Sequence, residues 1–236
     1  MKVFCVFLIL TLLFIPSVLI IRNRGEAILQ NTSAQKSETF PYTVILDAGH
    51  GGEDGGAVAA DGTAEKDLNL LISNDIADFF NLFGIPFVAV RTTDESVGDT
   101  SLQTVRARKT SDILNRFDLI NKTPDSILLS IHQNQFGKSE YYGTQVFYSP
   151  NDPLSEILAN SIQKCVVQNL QQNNSREVKP SGDSIYLLFR AKRPSVLVEC
   201  GFLSNPNELA ALKDPVYQSQ MAYSIIEGLY FCLTLH

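Results

Sequence analysis

Residues 42–56, which read YTVILDAGHGGEDGG, decide the fold. The first six form a short apolar run that ends at Asp47, and such a run predicts a buried β-strand. Five of the next residues, up to Gly56, are glycines, which allow sharp turns and bring His50 close to anything bound nearby. A strand that runs into such a loop is typical of α/β domains, in which ligands bind at the carboxyl ends of strands.

Strand and helix patterns alternate downstream of this loop. Helical spacing of apolar residues predicts helices from Glu65 to the break at Gly84, and over 101–121, 153–170 and 214–235. Short apolar runs predict further strands at 87–91, 126–131, 143–149 and 195–199. We therefore predict a single α/β domain with a mainly parallel, twisted sheet and helices on both faces.

An apolar segment opens the chain ahead of this domain. Residues 3–21 would reach roughly 28 Å as a helix, close to the hydrocarbon thickness of a bilayer. No small-x-small cleavage pattern follows them, which favours an uncleaved transmembrane anchor over a cleaved signal peptide. We predict an anchor or signal segment at 1–24, a linker at 25–40 and the main domain at 41–236, exported across the cytoplasmic membrane.

Composition excludes several classes of protein. The formal charge is −6, and since the first forty residues hold four basic and two acidic residues, the remainder carries −8. A phosphate backbone repels such a domain, which argues against nucleic acid as a partner. Outside the apolar segment the chain has three cysteines and no C-x-x-C pair, which predicts buried free thiols at Cys165, Cys200 and Cys232.

The main domain has three histidines, of which His236 is the last residue of the sequence. The other two each follow a different strand. His50 lies in the glycine-rich loop, and His132 lies in SIHQN at 130–134. Because strand ends of a parallel sheet meet at one edge, we expect them to share a site. Two imidazoles and one carboxylate form the ligand set of a catalytic zinc site. The candidate carboxylates are Asp47, Glu53, Asp54, Glu65 and Asp67, and position alone does not separate Glu65 from Asp67.

Glu199 ends the apolar strand at 195–199, where a buried acid is costly unless it is paired or used. Beside a metal, such a carboxylate is the expected base for deprotonating water. The structural alternative is an ion pair with Arg190 or Arg193. Strand alternation puts Glu199 and Cys200 on opposite sides, so at most one of them faces the site.

Four motifs together resemble one known family. They are DAGHGG at 47–52, Glu65 at the start of the first helix, SIHQN at 130–134 and VECGFLSN at 198–205. In order and spacing they are similar to the zinc-dependent N-acetylmuramoyl-L-alanine amidases of the Amidase_3 family, over essentially all of 41–236. The resemblance implies hydrolysis of the amide bond between N-acetylmuramic acid and L-alanine, with a peptidoglycan glycan strand and its peptide stem as substrate.

The resemblance also implies roles for individual residues. It implies that His50, Glu65 and His132 bind Zn²⁺ and that Glu199 is the catalytic residue. It thereby selects Glu65 over Asp67.

Several features look most like the spore-cortex, germination-specific members of the family. These are the small size, the N-terminal apolar segment and the block RKTSDILNR at 108–116, and they imply a role in forming muramic-δ-lactam. The chain departs from the family at Gln135-Phe136, where many members have a small residue after the histidine motif. We expect this pair to reshape the peptide side of the groove or to mark the subgroup. Targeting is expected to depend on the membrane anchor or on an activating protein partner.

Two other functions stay open on the sequence. A non-catalytic peptidoglycan-binding module would keep the fold without needing zinc. A Cys-His hydrolase would use Cys200 with His132, and it requires Cys200 to face the site against the alternation of the strand.

Overall fold

A six-stranded sheet organises residues 40–234, the part of the chain that the computed structural model describes. The strands are β1 (Thr43–Ala48), β2 (Phe87–Ala89), β3 (Ser126–Asn134), β4 (Gln145–Tyr148), β5 (Lys179–Pro180) and β6 (Ser195–Phe202). The helices are α1 (Glu65–Phe83), α2 (Val105–Lys122), α3 (Pro153–Asn169), α4 (Tyr186–Arg190), α5 (Pro206–Leu212) and α6 (Pro215–Thr234). The strands lie in the order β2-β1-β3-β6-β4-β5.

The sheet is mixed. β1 pairs in parallel with β2 and β3, β3 with β6, and β4 with β5, whereas β4 runs antiparallel to β6. The α/β class is confirmed, and parallel pairing holds everywhere except at the β4–β6 pair. The reason is the loop at 135–144, which joins β3 to β4 without a helix. A parallel return to the same sheet needs a crossover of about a dozen residues or more.

Alternate residues of β1 face two different layers. Val44 and Leu46 belong to a large apolar cluster that includes residues of α1, α3 and α6. Ile45 belongs to a smaller cluster with residues of α2 and α4. Helices therefore cover both faces of the sheet, and Asp47 continues the face of Ile45, under α2.

Capping side chains set the starts of the helices. α2 begins at Val105, later than predicted, because the Thr104 hydroxyl accepts a hydrogen bond from the backbone N–H of Ala107. Asn205 caps α5 in the same way, with Pro206 in the first turn. α4, α5 and the two-residue β5 are not among the predicted elements. β3 and β6 each extend three residues further than predicted, which places His132 and Glu199 inside strands.

The predicted membrane segment and the predicted linker, up to residue 39, lie outside the described residues. Between residues 40 and 234, no helix has both the length and the apolar character that crossing a bilayer requires. The N-terminal anchor therefore stays a prediction.

Candidate active site and metal centre

The structure brings His50, Glu65 and His132 together at the carboxyl ends of β1 and β3. Oε2 of Glu65 lies 3.3 Å from Nε2 of His50, and Oε1 lies 2.8 Å from Nδ1 of His132. The centroids of the two imidazole rings are 5.0 Å apart. One donor atom from each side chain lies within 4.8 Å of the others. A single ion between them can therefore contact all three.

Two glycines let the backbone approach these side chains closely. A Cβ atom on Gly49 would lie 2.2 Å from Nε2 of His132, and one on Gly56 would lie 2.5 Å from Oε2 of Glu65. His50 itself has a φ of 61°, in the left-handed region that costs a non-glycine residue about 1–3 kcal/mol. The glycine-rich composition of this loop (residues 49–64, the His50 loop) is thus required by the packing around the two histidines.

Glu65 is fixed by the start of α1. Its carboxylate accepts hydrogen bonds from the backbone N–H of Ala57 at 2.9 Å and of Gln133 at 3.2 Å. Asn69, one turn further along the helix, donates to the same carboxylate at 3.3 Å. Asp67, by contrast, is exposed. Geometry therefore separates the two acids of the first turn, which position in the sequence did not.

Two buried arginines hold the carbonyl groups that precede and include His50. Arg91 donates to the carbonyls of Ala48 at 2.9 Å and Gly49 at 3.0 Å. Arg116 donates to the carbonyls of Ala48 at 3.0 Å and His50 at 2.7 Å. Because a guanidinium presents its donors in a rigid fork, the two side chains fix the path of the backbone into the loop. Neither stands out in the sequence as a positioning residue, although Arg91 ends a predicted strand.

Asp47 supplies the counter-charge for Arg116. The two side chains form a buried ion pair, and Ser130 donates from Oγ to the Asp47 carboxylate at 2.7 Å. Burial alone would raise the pKa of Asp47, but Arg116 and Ser130 hold it below its ordinary value. Asp47 therefore stays ionised beneath the site, engaged with the arginine.

Glu199 lies on β6 directly opposite His132 in the β3–β6 register. Burial raises the pKa of Glu199 to about 7, since the opposing effect of His132 is smaller. Its Oε2 atom is buried and has no hydrogen-bond partner among the described residues. Arg190 stacks over Phe189, 5.6 Å from the ring centroid. A carboxyl group with a pKa near 7 is suited to accept and return a proton at neutral pH.

Negative charge dominates around the two imidazoles. Burial alone would lower the pKa of His50, but its hydrogen bonds to Asp54 and Glu65 raise it to about 9. Burial alone would raise the pKa of Glu65, but its hydrogen bonds to His132 and His50 hold it well below its ordinary value. The site therefore stabilises positive charge.

Cys200 faces the opposite layer. It is fully buried within the large apolar cluster, and burial raises the pKa of its thiol. Cys165 and Cys232 are also free and buried, as predicted. A thiol in such surroundings is chemically inert, because the nucleophile is the thiolate. The geometry thus disfavours a Cys-His hydrolase.

A cleft of about 280 Å³ opens on the α2 side of the sheet. His50, His132 and Glu199 line it, together with Lys109 of α2 and Tyr186 of α4. The cleft thus presents both the charged cluster and side chains of the two covering helices.

The donor set fits a catalytic zinc site. Two imidazoles and one carboxylate leave a fourth position for water or substrate. Nδ1 of His50 contacts the Asp54 carboxylate at 2.9 Å, and such a partner is usual for a metal-binding histidine. The Oε2 atom of Glu199 is buried and has no hydrogen-bond partner among the described residues, so it is free to accept a proton.

Comparison with known proteins finds amidases. A family model described as N-acetylmuramoyl-L-alanine amidase, Amidase_3, matches residues 44–230. The germination-specific N-acetylmuramoyl-L-alanine amidase of Bacillus subtilis (strain 168) is 33% identical over 202 residues, which cover 84% of this chain and 84% of that relative.

Solved structures agree with the family match. The CwlD amidase from Clostridioides difficile, in complex with the GerS lipoprotein, has a TM-score of 0.80 at 38% identity, covering 83% of this chain and 100% of that one. The N-acetylmuramoyl-L-alanine amidase from Clostridium difficile 630 has a TM-score of 0.69 at 28% identity, covering 81% of this chain and 97% of that one. With a family match over most of its length, this chain belongs to the Amidase_3 family of N-acetylmuramoyl-L-alanine amidases.

Proposed function

We propose that this chain hydrolyses the bond between N-acetylmuramic acid and L-alanine in peptidoglycan with Zn²⁺ held by His50, Glu65 and His132. The observation that carries the proposal is Glu199, which lies directly opposite His132 and has a buried Oε2 atom without a hydrogen-bond partner among the described residues. Burial raises its pKa to about 7. Leaving such a group without a partner costs stability, so it is expected only where the group is used. A non-catalytic binding module has no use for it.

The chain's own groups account for the proton transfers. Zinc, when bound, supplies Lewis acidity that polarises a carbonyl oxygen and makes water acidic near neutral pH. Glu199 accepts the proton of the attacking water and delivers it to the nitrogen of the departing L-alanine. Both transfers are needed, because a neutral amide is a poor electrophile and its nitrogen leaves only as a protonated amine.

The proposed setting is maturation of the spore cortex, where removal of the peptide stem precedes formation of muramic-δ-lactam. Its support is the similarity to the germination-specific amidase of Bacillus subtilis and to CwlD. A protein partner belongs to the proposal, because CwlD was solved with a lipoprotein. An N-terminal anchor at 1–24, supported by the apolar run at 3–21, holds the enzyme on the outer side of the membrane.

The test combines metal content with product analysis. Full-length protein purified in detergent should hold about one zinc per chain, and His50→Ala and His132→Ala should each lose most of it. Digestion of spore-cortex peptidoglycan should release peptides that begin with L-alanine, as detected by mass spectrometry. A chelator should stop the release and added zinc should restore it. Undiminished zinc in both histidine variants, or turnover that survives chelation, would contradict the proposal.

A further inference from the structure

Three side chains of α2 reach across to β1 and the His50 loop. Arg108 contacts Glu53 at 2.5 Å, Lys109 contacts Asp54 at 2.6 Å, and Arg116 contacts the carbonyl of His50 at 2.7 Å. The two ion pairs differ in their further contacts. Within the described residues, the Glu53 carboxylate pairs only with Arg108 at the surface of the loop, whereas Asp54 also contacts His50, a histidine of the metal centre.

Asp54 is held on both sides. Its Oδ2 atom lies 2.9 Å from Nδ1 of His50, and its Oδ1 atom lies 2.6 Å from Nζ of Lys109. Its backbone N–H and carbonyl pair with the carbonyl and N–H of Gly51, at 3.2 and 3.0 Å. The carboxylate therefore has one position, with one oxygen for the lysine and one for the imidazole.

This position determines which nitrogen of His50 faces the cluster. A carboxylate at Nδ1 favours the tautomer with the proton on Nδ1, which leaves the lone pair on Nε2. Nε2 is the atom that lies 3.3 Å from Glu65. Nδ1 of His132, by contrast, contacts Glu65 itself at 2.8 Å. Among the described residues, only His50 thus has a carboxylate partner from outside the three-residue cluster.

We propose that Asp54, held in place by Lys109, is a positioning residue that sets the orientation and tautomer of His50 for metal binding. The inference rests on the proposed zinc site and extends it to a residue pair outside the ligand set. It makes α2 a support of the metal centre, although α2 contributes no ligand to it.

Glu53 provides a matched control for Asp54. It is the preceding residue of the same loop and is also paired with a basic residue of α2, since Arg108 donates to both of its oxygens at 2.5 and 2.7 Å. Both carboxylates are partly exposed, with side-chain exposures of 38% for Glu53 and 27% for Asp54. If the ion pairs only tether the loop to α2, then losing either should have the same effect.

The experiment measures the zinc dissociation constant of the full-length protein by competition with a chromophoric chelator. Asp54→Ala should weaken zinc binding by about 100-fold, and Asp54→Asn by about tenfold, because asparagine keeps one acceptor for the Nδ1 proton. Glu53→Gln should stay within about twofold of the wild type. Lys109→Met removes the ion pair that holds Asp54 but keeps the Asp54 carboxylate. Its loss of zinc affinity should therefore lie between the losses in Asp54→Asn and Glu53→Gln. Thermal melting with chelator present checks that both Asp54→Asn and Glu53→Gln stay folded, so that a loss of zinc affinity is not a loss of the fold.

The outcomes distinguish the inference from the zinc site on which it rests. Wild-type protein that holds no zinc would overturn both. Wild-type zinc affinity in Asp54→Ala would overturn only the positioning role. Equal losses of affinity in Asp54→Asn and Glu53→Gln would show that the ion pairs merely tether the loop. As a further readout, the visible spectrum of the Co²⁺-substituted protein should change in Asp54→Asn and remain unchanged in Glu53→Gln.

Discussion

The face of the sheet under α1, α3 and α6 is filled by a large aliphatic cluster, whereas the face under α2 and α4 has only five buried apolar residues in its cluster. On this second face, Asp47, Ser130 and Arg116 form a buried polar network at the place where an apolar layer would otherwise continue. Glu199 and the cleft lie on the same side. The alternation of the strands thus separates two tasks, since one face provides the hydrophobic stabilisation and the other holds the functional groups of the strands, to which α1 adds Glu65 from its first turn.

The separation has a cost. A buried ion pair is itself weak support for folding, because desolvation offsets much of the attraction, but losing one partner leaves the other buried and unpaired. The guanidinium of the Asp47–Arg116 pair also holds the carbonyls of Ala48 and His50, so the pair supports the backbone at His50 as well. Changes to this buried ion pair should therefore affect both stability and metal binding. Changes on the apolar face should affect stability alone.

The largest effect is expected for Arg116→Met. The variant leaves Asp47 buried and unpaired, so the free energy of unfolding should fall by about 3–5 kcal/mol. Zinc affinity should fall as well, because the backbone at His50 loses its clamp. Urea unfolding with chelator present separates the two effects, since bound zinc would otherwise add to the apparent stability.

The matched change on the apolar face is Ile225→Ala in α6. Ile225 is fully buried in the large cluster, and truncation of such a side chain costs about 2–5 kcal/mol. Its zinc affinity should equal that of the wild type under conditions where the variant is folded. A loss of zinc affinity as large as that of Arg116→Met would show that the two faces are not independent.

Glu199→Gln is expected to change the free energy of unfolding less than these two variants do, but to lower turnover strongly. Turnover should fall by about 10² or more, the scale for losing a general base, which corresponds to about 2.7 kcal/mol in the barrier. Zinc content and peptidoglycan binding should be unchanged, because Glu199 is not one of the proposed ligands. Turnover is measured from released L-alanine amine groups, and zinc by elemental analysis of the same sample.

Glu65→Gln is the comparison for this variant. It removes the same charge from a proposed ligand, so zinc retention should fall together with activity. If Glu199→Gln were fully active, the proposed proton transfers would be wrong. If it lost zinc as Glu65→Gln does, Glu199 would be a ligand and not the base.

Much of this arrangement is predictable from the sequence. That β1 and β3 bring His50 and His132 to one edge follows from the rule that ligands collect at strand ends, and the apolar runs locate both strands. The choice of Glu65 over Asp67 did not follow from position, since both acids lie in the first turn of α1. Only the family resemblance separated them. The physical difference is contact with backbone N–H groups of Ala57 and Gln133, which no local pattern records.

The supporting residues Arg91 and Arg116 are not predictable from the sequence, for a different reason. Arg116 meets the Ala48 carbonyl across 68 positions, and Arg91 meets it across 43. A long side chain that crosses between elements leaves no periodic signal in the sequence. The partner of β4 is likewise distant, since β6 lies about fifty residues away in the chain. The start of α5, in contrast, carried a readable signal in Asn205-Pro206, an N-cap followed by a first-turn proline.

The smallest effect is expected for Cys200→Ala, and it tests the separation of the faces at its narrowest point. Cys200 follows Glu199 directly in β6, yet its side chain is fully buried in the apolar cluster of the opposite layer. Removing one buried sulfur atom should lower the free energy of unfolding by about 0.5–1.5 kcal/mol, the range for a change of one methyl-sized group. Turnover and zinc content should stay within about twofold of the wild type, and a thiol-alkylating reagent should leave the wild-type enzyme active while a chelator stops it. Two neighbouring residues of β6 should thus differ sharply, because turnover is expected to fall by about 10² in Glu199→Gln and hardly at all in Cys200→Ala. A well-folded Cys200→Ala variant without activity would show instead that the thiol takes part in the reaction, and that strand alternation does not divide chemistry from core in this enzyme.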